Sequence, residues 1–104
     1  MNEDSHAKNI GIETTGYKKL IKIFISATIA DLSDLRNAVD EINLETVQKL
    51  AHHIKGAAAS LELDLLETTA FNLETAAFSK EKGKLPILLK LVETAFSETL
   101  NILS

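Results

Sequence analysis

The 104-residue sequence contains no cysteine, one proline and four glycines. Without cysteine, the chain has no thiol nucleophile, no cysteine-based zinc site and no disulfide framework. No apolar run approaches the ~20 residues that span a bilayer. The polar N-terminus, MNEDSHAKN, lacks the hydrophobic region of a signal peptide. We therefore expect a cytoplasmic protein that does not interact with membranes.

Positive charge is also scarce. There are 11 lysines and arginines against 15 aspartates and glutamates, which gives a formal net charge of −4. A mildly acidic chain without a basic run is poorly suited to binding phosphate backbones, so nucleic acid is not expected as a partner. The length is that of one ordinary domain, which can bury a core without disulfides.

The sequence is rich in Leu, Ala, Ile, Glu and Lys, a composition that favours helices over strands. A first helix is predicted over about residues 15–41, after a loose head around Gly11 and Gly16. Its apolar stripe, with a bend or break allowed near residues 29–33, is Leu20, Phe24, Ala27, Leu32, Leu35, Val39 and Ile42. Asn43 is predicted to cap a second helix. The inward residues of that helix are Leu44, Val47, Leu50, Ile54, Ala58 and Leu61.

Two further helices complete the pattern. A third, over about residues 64–79, has Leu66, Ala70, Leu73 and Ala77 on one face. A charged loop over residues 80–84 follows, and Pro86 suits the first turn of a last helix. The apolar face of that helix is Leu85, Leu88, Leu89, Val92, Phe96, Leu100 and Leu103. Short connections predict antiparallel neighbours. The fold class is therefore all-α, an antiparallel up-down four-helix bundle over residues 14–104. Residues 1–13 are a polar N-terminal head, either helical or irregular and disordered.

The second predicted helix holds the one group of residues that indicates chemistry. On a wheel of about 100° per residue, His52 lies opposite the apolar stripe, so its imidazole is expected to face solvent. An exposed histidine alone is usually no more than a solvated side chain. The residues that share its outward face are Gln48, Lys49, Lys55, Gly56 and Ala59.

Gly56 indicates that His52 is more than a solvated side chain. A glycine inside a helix costs about 1 kcal/mol relative to alanine, and this one lies one turn after His52 on the same face. The bare backbone would let another protein's surface approach the imidazole, which is a nucleophile near neutral pH. Lys55 can bring a positive charge to the same space. Together these residues describe a phosphoryl acceptor better than a metal site or an acyl-transfer site.

Residues 51–58, AHHIKGAA, resemble the signature of histidine-containing phosphotransfer (HPt) domains. In that family the pattern is Ala-His-x-(Leu/Ile)-Lys-Gly followed by small residues. Residues 72–77, NLETAA, are similar to the Leu-Glu-x-x-Ala stretch of the family's next helix. The resemblance covers roughly residues 17–103. It departs from the family after Leu61, where Glu62 stands in place of a frequent glycine, so we expect the second helix to continue a little further there.

The resemblance implies a phosphocarrier of a two-component phosphorelay, without kinase activity of its own. His52 would accept a phosphoryl group from the aspartate of a receiver domain and pass it to another receiver. Lys55 would steady the phosphoryl oxygens, and Gly56 would make room for the receiver. Further contacts with the receiver are expected from Gln48, Lys49 and Ala59. The chain would need no cofactor, because Mg²⁺ and its acidic pocket would belong to the receiver.

The partners implied are response-regulator receiver domains and a hybrid sensor histidine kinase, and the chain is expected to be a monomer. Both a free-standing protein and a domain of a larger hybrid kinase fit the sequence. The alternative function is a four-helix interaction or dimerisation module in which His52 is not phosphorylated. A histidine kinase is excluded because the chain has no glycine-rich nucleotide-binding segment.

Other residues are read as structural. His53 occupies the variable position of the signature and lies on the flank of the helix. It does not form a metal pair with His52, because adjacent helical residues diverge by about 100°, and no metal site is expected. Phe71, Phe78 and Phe96 are predicted to be core residues. A solvated acidic edge is predicted at Glu62, Asp64, Glu67 and Glu74.

Overall fold

The computed structural model of the protein describes residues 13–103, with side chains from residue 16 onward. Four α-helices make up most of this range: α1 (Glu13–Asp40), α2 (Leu44–Ser60), α3 (Asp64–Phe78) and α4 (Leu85–Leu103). A 3₁₀ turn over Lys82–Lys84 leads into α4, and no strand occurs within residues 13–103. The prediction of an all-α four-helix protein is confirmed. The polar head, which includes His6 and Gly11, lies outside the described residues except for its last residue.

The helices form a ring in which each contacts the next along the chain and α4 returns to α1. Polar contacts between helices show that neighbours run in opposite directions. Asp31, nine residues before the end of α1, pairs with His53, nine residues after the start of α2. The same opposed numbering relates His52 on α2 to Glu74 on α3. The bundle measures 46 × 22 × 20 Å, and its long axis matches the ~42 Å expected for the 28 residues of α1.

The core lies along the bundle axis, where all four helices contribute apolar side chains. The fully buried large residues include Leu35, Val47, Ile54, Leu66, Leu73, Leu85 and Val92. The predicted stripes of α2, α3 and α4 therefore do form the core. Three small residues, Ala51 and Ala58 of α2 and Ala70 of α3, are fully buried as well.

The predicted stripe of α1 was wrong in part. Phe24, Leu35 and Val39 are buried, but Leu20, Ala27 and Ile42 are exposed. α1 has 28 residues against the 17 of α2, so its first turns extend past the partner that would cover Leu20. Thr28 and Ala38 are buried as well. The helix is continuous through residues 29–33, and Gly16 lies inside it and not in a loose head.

The phenylalanines also separate into two groups. Phe96 is buried and its ring lies 6.4 Å from that of Phe24, centroid to centroid, which links α4 to α1. Phe71 and Phe78 are exposed, at 51% and 70%, so their prediction as core residues was wrong. Both belong to α3, whose buried face is already filled by Leu66, Ala70, Leu73, Ala76 and Ala77.

The helix starts follow the predicted signals. Asn43 caps α2, with its side-chain oxygen accepting a hydrogen bond from the backbone N–H of Thr46 at 3.2 Å. Pro86 lies in the first turn of α4, where its missing N–H leaves no hydrogen bond unmade. The two turns that carry these residues bring α2 and α4 back alongside their neighbours.

The helix ends are less ordinary. α1, α2 and α3 each end in the paired hydrogen bonds of a Schellman motif, as when Leu63 N–H donates to Ala58 O at 2.9 Å and Glu62 N–H donates to Ala59 O at 3.1 Å. That motif places one residue in the left-handed region, where glycine is usual. The residues found there are Ile42, Glu62 and Lys80, with φ of 53°, 57° and 60°.

Glu62 therefore does not extend α2, and the expectation that the helix continues past it was wrong. The helix ends at Ser60 and Leu61 is its cap. The turn forms because its hydrogen bonds and the packing of Leu61 and Leu63 against the core fix the backbone. The glutamate accepts a left-handed conformation that costs non-glycine residues about 1–2 kcal/mol.

We predict that Glu62→Gly stabilises the protein, because glycine adopts this φ without the Cβ clash. The gain should be about 0.5–1 kcal/mol in the free energy of unfolding, reduced from the full strain because glycine also makes the unfolded chain more flexible. Urea unfolding followed by circular dichroism would measure it. Ser79→Gly is the matched control: Ser79 caps α3 at φ −84°, so glycine there should stabilise nothing. Equal effects of the two substitutions would show that the backbone at Glu62 is not strained.

Candidate functional site

His52 lies in the middle of α2, on the side that faces solvent. Its side chain is 67% exposed. The rotation of α2 that produces this exposure is set by its buried residues, Val47, Ala51, Ile54 and Ala58, on the opposite side. The imidazole is thus presented on the surface of a rigid helix and not on a loop.

A carboxylate from the neighbouring helix holds the imidazole. His52 Nδ1 lies 2.9 Å from Glu74 Oε2, across the α2–α3 contact. The prediction that Glu74 belongs to a solvated edge was wrong, because its side chain is only 16% exposed. Two signals in the sequence concern Glu74: it is the glutamate of the NLETAA stretch that is similar to the family's next helix, and it lies beside the buried stripe of α3, one residue after Leu73.

Lys55 is bound to the same carboxylate. Its Nζ lies 2.9 Å from Glu74 Oε1, and its side chain is 25% exposed. The ammonium also lies 5.2 Å from the centre of the Phe71 ring, within the range of a cation–π contact. Phe71 is therefore an exposed residue of this site. The structure brings together four side chains from two helices: His52 and Lys55 from α2, with Phe71 and Glu74 from α3.

The charge of Glu74 decides which nitrogen of His52 is available. Partial burial raises the pKa of the Glu74 carboxyl, but the ion pair with Lys55 and the hydrogen bond with His52 outweigh it and hold that pKa below its ordinary value. Glu74 is consequently ionised near neutral pH. An ionised carboxylate only accepts hydrogen bonds, so Nδ1 of His52 must be the donor. In the neutral ring the lone pair then lies on Nε2, which points away from Glu74.

The surroundings of His52 are open. A Cβ built on Gly56 would have no atom within 4 Å beyond its own helix, and Ala59, one turn further on, is exposed. On the other side of His52 a groove runs toward the start of α2. It is lined by Glu45, Gln48, Lys49, His52 and Glu74. The structure therefore places all the residues that the sequence assigned to the site on one surface.

His53 has a carboxylate partner of its own. Its Nδ1 lies 2.6 Å from Asp31 Oδ2 on α1, and its side chain is 66% exposed. The two adjacent histidines are thus held by different helices, His52 by α3 and His53 by α1. Among residues 13–103 no group of three or more His, Asp or Glu side chains is placed to hold a metal ion.

Comparison with known proteins identifies the family. The family model described as Hpt domain matches residues 19–103, which is most of the chain and includes all four helices except the start of α1. No curated protein and no solved structure matches the chain. Within the described part of the chain, no helix has the length and apolar character needed to cross a membrane. With its helical bundle and its His52 motif in the matched region, the chain belongs to the Hpt domain family.

Proposed function

We propose that this protein is a phosphocarrier of a two-component phosphorelay, in which His52 accepts a phosphoryl group from a receiver-domain aspartate and passes it to another receiver. The observation that carries the proposal is the His52–Glu74 hydrogen bond of 2.9 Å. It holds an exposed imidazole with its Nε2 lone pair toward solvent. The family supports the coarser statement, because Hpt domains serve phosphotransfer in phosphorelays.

The transfer step follows from this geometry. The Nε2 lone pair attacks the phosphorus of the aspartyl phosphate, and the bond between phosphorus and the carboxylate oxygen breaks with its electrons on the aspartate. The ring gains the phosphoryl group at Nε2 and keeps its proton at Nδ1. The positive charge that results faces the Glu74 carboxylate, so no proton has to leave during the transfer. The return step to a second receiver reverses these bond changes.

Lys55 supports the charge of the phosphoryl group. Its ammonium is held near the imidazole by Glu74 and Phe71, one turn along α2. A cation in this place attracts the phosphoryl oxygens as they approach His52. The Mg²⁺ ion of the reaction would be bound by the receiver, whose own acidic residues supply the oxygen ligands that this ion prefers.

The receiver would dock on the open surface around His52. Gly56 and Ala59 supply no side chain that could block it, and Phe71 offers an exposed apolar contact. Gln48 and Lys49 line the groove on the other side of the imidazole. Receiver domains, including that of a hybrid sensor kinase, are the proposed partners. The protein would act in the cytoplasm as a monomer.

The first test is the site of labelling. We predict that His52→Gln abolishes transfer of labelled phosphate from a phosphorylated receiver, because glutamine has no nucleophilic nitrogen, while circular dichroism shows an unchanged helical fold. His53→Gln is the matched control and should keep its labelling, because Asp31 holds His53 on another flank of α2. Label that persists in His52→Gln, or that maps to His53, contradicts the proposal. If neither the wild type nor the variants are labelled, the interaction-module alternative is favoured.

The second test concerns the open surface. Gly56→Leu should slow transfer from the receiver by tenfold or more, an order-of-magnitude expectation for a side chain that blocks a docked surface. It should not lower the melting temperature, since leucine is the better helix former by nearly 1 kcal/mol and no atom of another residue is in its way.

Gly16→Leu provides the matched control for this substitution. Gly16 is also an exposed helical glycine with free space around it, but it lies on α1, far from the site. Its substitution should likewise not lower stability, and it should leave transfer unchanged. Equal transfer rates in Gly56→Leu and the wild type would show that the receiver does not approach over Gly56.

A further inference from the structure

The carboxylate of Glu74 is shared between a nucleophile and a cation, which is more than is needed to orient a ring. The oxygen of a neutral amide could also accept the hydrogen bond from Nδ1 of His52 and hold the same tautomer. What a carboxylate adds is a full negative charge next to the imidazole, in a position only 16% exposed. The effect of this charge is greatest when the ring is positive, as it is in phosphorylated His52 that keeps the proton on Nδ1.

Resting on the proposed function, we infer that Glu74 is a positioning residue that sets the lability of phosphorylated His52 by keeping the proton on its Nδ1. The phosphorylated ring exists in two forms. With the Nδ1 proton the ring is cationic, and on transfer the Nε2–P electron pair returns to Nε2 to give neutral imidazole. Without that proton the leaving group is an imidazolide anion, which is a much poorer one. The protonated form is therefore the one that transfers.

The structure favours the protonated form. Oε2 of Glu74 lies 2.9 Å from Nδ1, so the carboxylate directly faces the proton that has to be retained. Glu74 stays ionised to do this, because Lys55 pairs with its other oxygen. A charge-assisted hydrogen bond of this kind is about twice as strong as a neutral one. The protein is then built to release its phosphoryl group quickly at neutral pH, as an intermediate in transfer and not as a store.

Other charged groups also lie near His52. Glu45 and Lys49, both on α2, line the same groove as His52 and Glu74. They have opposite charges, and neither has a hydrogen bond to the imidazole within residues 13–103. Lys55 opposes ring protonation through its charge, but this charge is largely matched by the Glu74 oxygen that it contacts. Asp31 faces His53 and not His52. Glu74 is thus the group that acts on the Nδ1 proton.

The test measures the pH dependence of phosphate loss from His52. The full chain is phosphorylated with phosphoramidate, the modified residue is mapped by mass spectrometry, and hydrolysis is followed by ³¹P NMR from about pH 4 to pH 9. In the wild type, we expect rapid loss to persist to neutral pH. In Glu74→Gln, which keeps an acceptor for Nδ1 but removes the charge, the midpoint of the profile should fall by about one pH unit. The loss is then roughly tenfold slower on the alkaline side.

Two further variants separate this role from a structural one. Lys55→Gln leaves the whole Glu74 charge to the ring, so its midpoint should move in the opposite direction, upward. Asp31→Asn removes an equivalent carboxylate from the neighbouring histidine and should leave the His52 profile unchanged. If the substitutions acted by loss of packing in the site, the midpoints of Glu74→Gln and Lys55→Gln would move in the same direction. If they acted through the overall charge of the protein, Asp31→Asn would shift the midpoint as Glu74→Gln does.

The outcomes distinguish this inference from the proposed function. Phosphate on His52 with coincident pH profiles for the wild type and Glu74→Gln overturns the inference alone and leaves the carrier function in place. A downward shift in Lys55→Gln, or a shift in Asp31→Asn equal to that of Glu74→Gln, also overturns it. If His52 is not phosphorylated in any of the chains, both the function and the inference are wrong.

Discussion

The rotation of α2 about its own axis is the constraint on which the rest of the site depends. Val47, Ala51, Ile54 and Ala58 are buried on one side of this helix, and a rotation would expose them to water. Burying a side chain such as Val or Ile stabilises a protein by about 1.5–3 kcal/mol, so the apolar stripe holds the helix firmly. The residues on the opposite side of the helix are therefore exposed to solvent, and His52 lies at the centre of that side. The chemistry of the surface is a consequence of the packing beneath it.

The neighbouring helices add what α2 does not contain. The motif of α2 supplies a nucleophile, a cation and an open surface, but no group that selects the tautomer of the imidazole. α3 supplies that group with Glu74, and it also supplies the ring of Phe71 over which the Lys55 ammonium lies. Because the α2–α3 hairpin is closed by a short turn, these residues meet although they are about twenty positions apart in sequence. The site therefore exists only in the folded bundle.

The sequence was sufficient to predict the parts that depend on periodicity. The four helices, the Asn43 cap, the inward stripes of α2, α3 and α4 and the outward direction of His52 all follow from local pattern. The contact between Glu74 and His52 does not, because it depends on the register of α3 against α2. The NLETAA stretch puts Glu74 on the family's next helix, but a linear pattern does not show which side chain of α2 it meets. The prediction of Phe71 as a core residue is wrong for a related reason: its apolar character favours burial, but the buried face of α3 is already occupied by other residues. At Glu62, tertiary packing imposed a left-handed turn that a glutamate does not favour by itself.

The two histidines of α2 also have a mechanical consequence. His52 is tied to α3 through Glu74 and His53 is tied to α1 through Asp31, so adjacent residues hold the helix from opposite flanks. A small twist of α2 in either direction would stretch one of these links, and they act at the level of the imidazole and not at the helix ends. The two links lie on opposite sides of the same turn of α2 and oppose rotation of the helix in either direction. The two links tie α2 to both of its neighbours, while the direction of the His52 ring itself is set by its contact with Glu74.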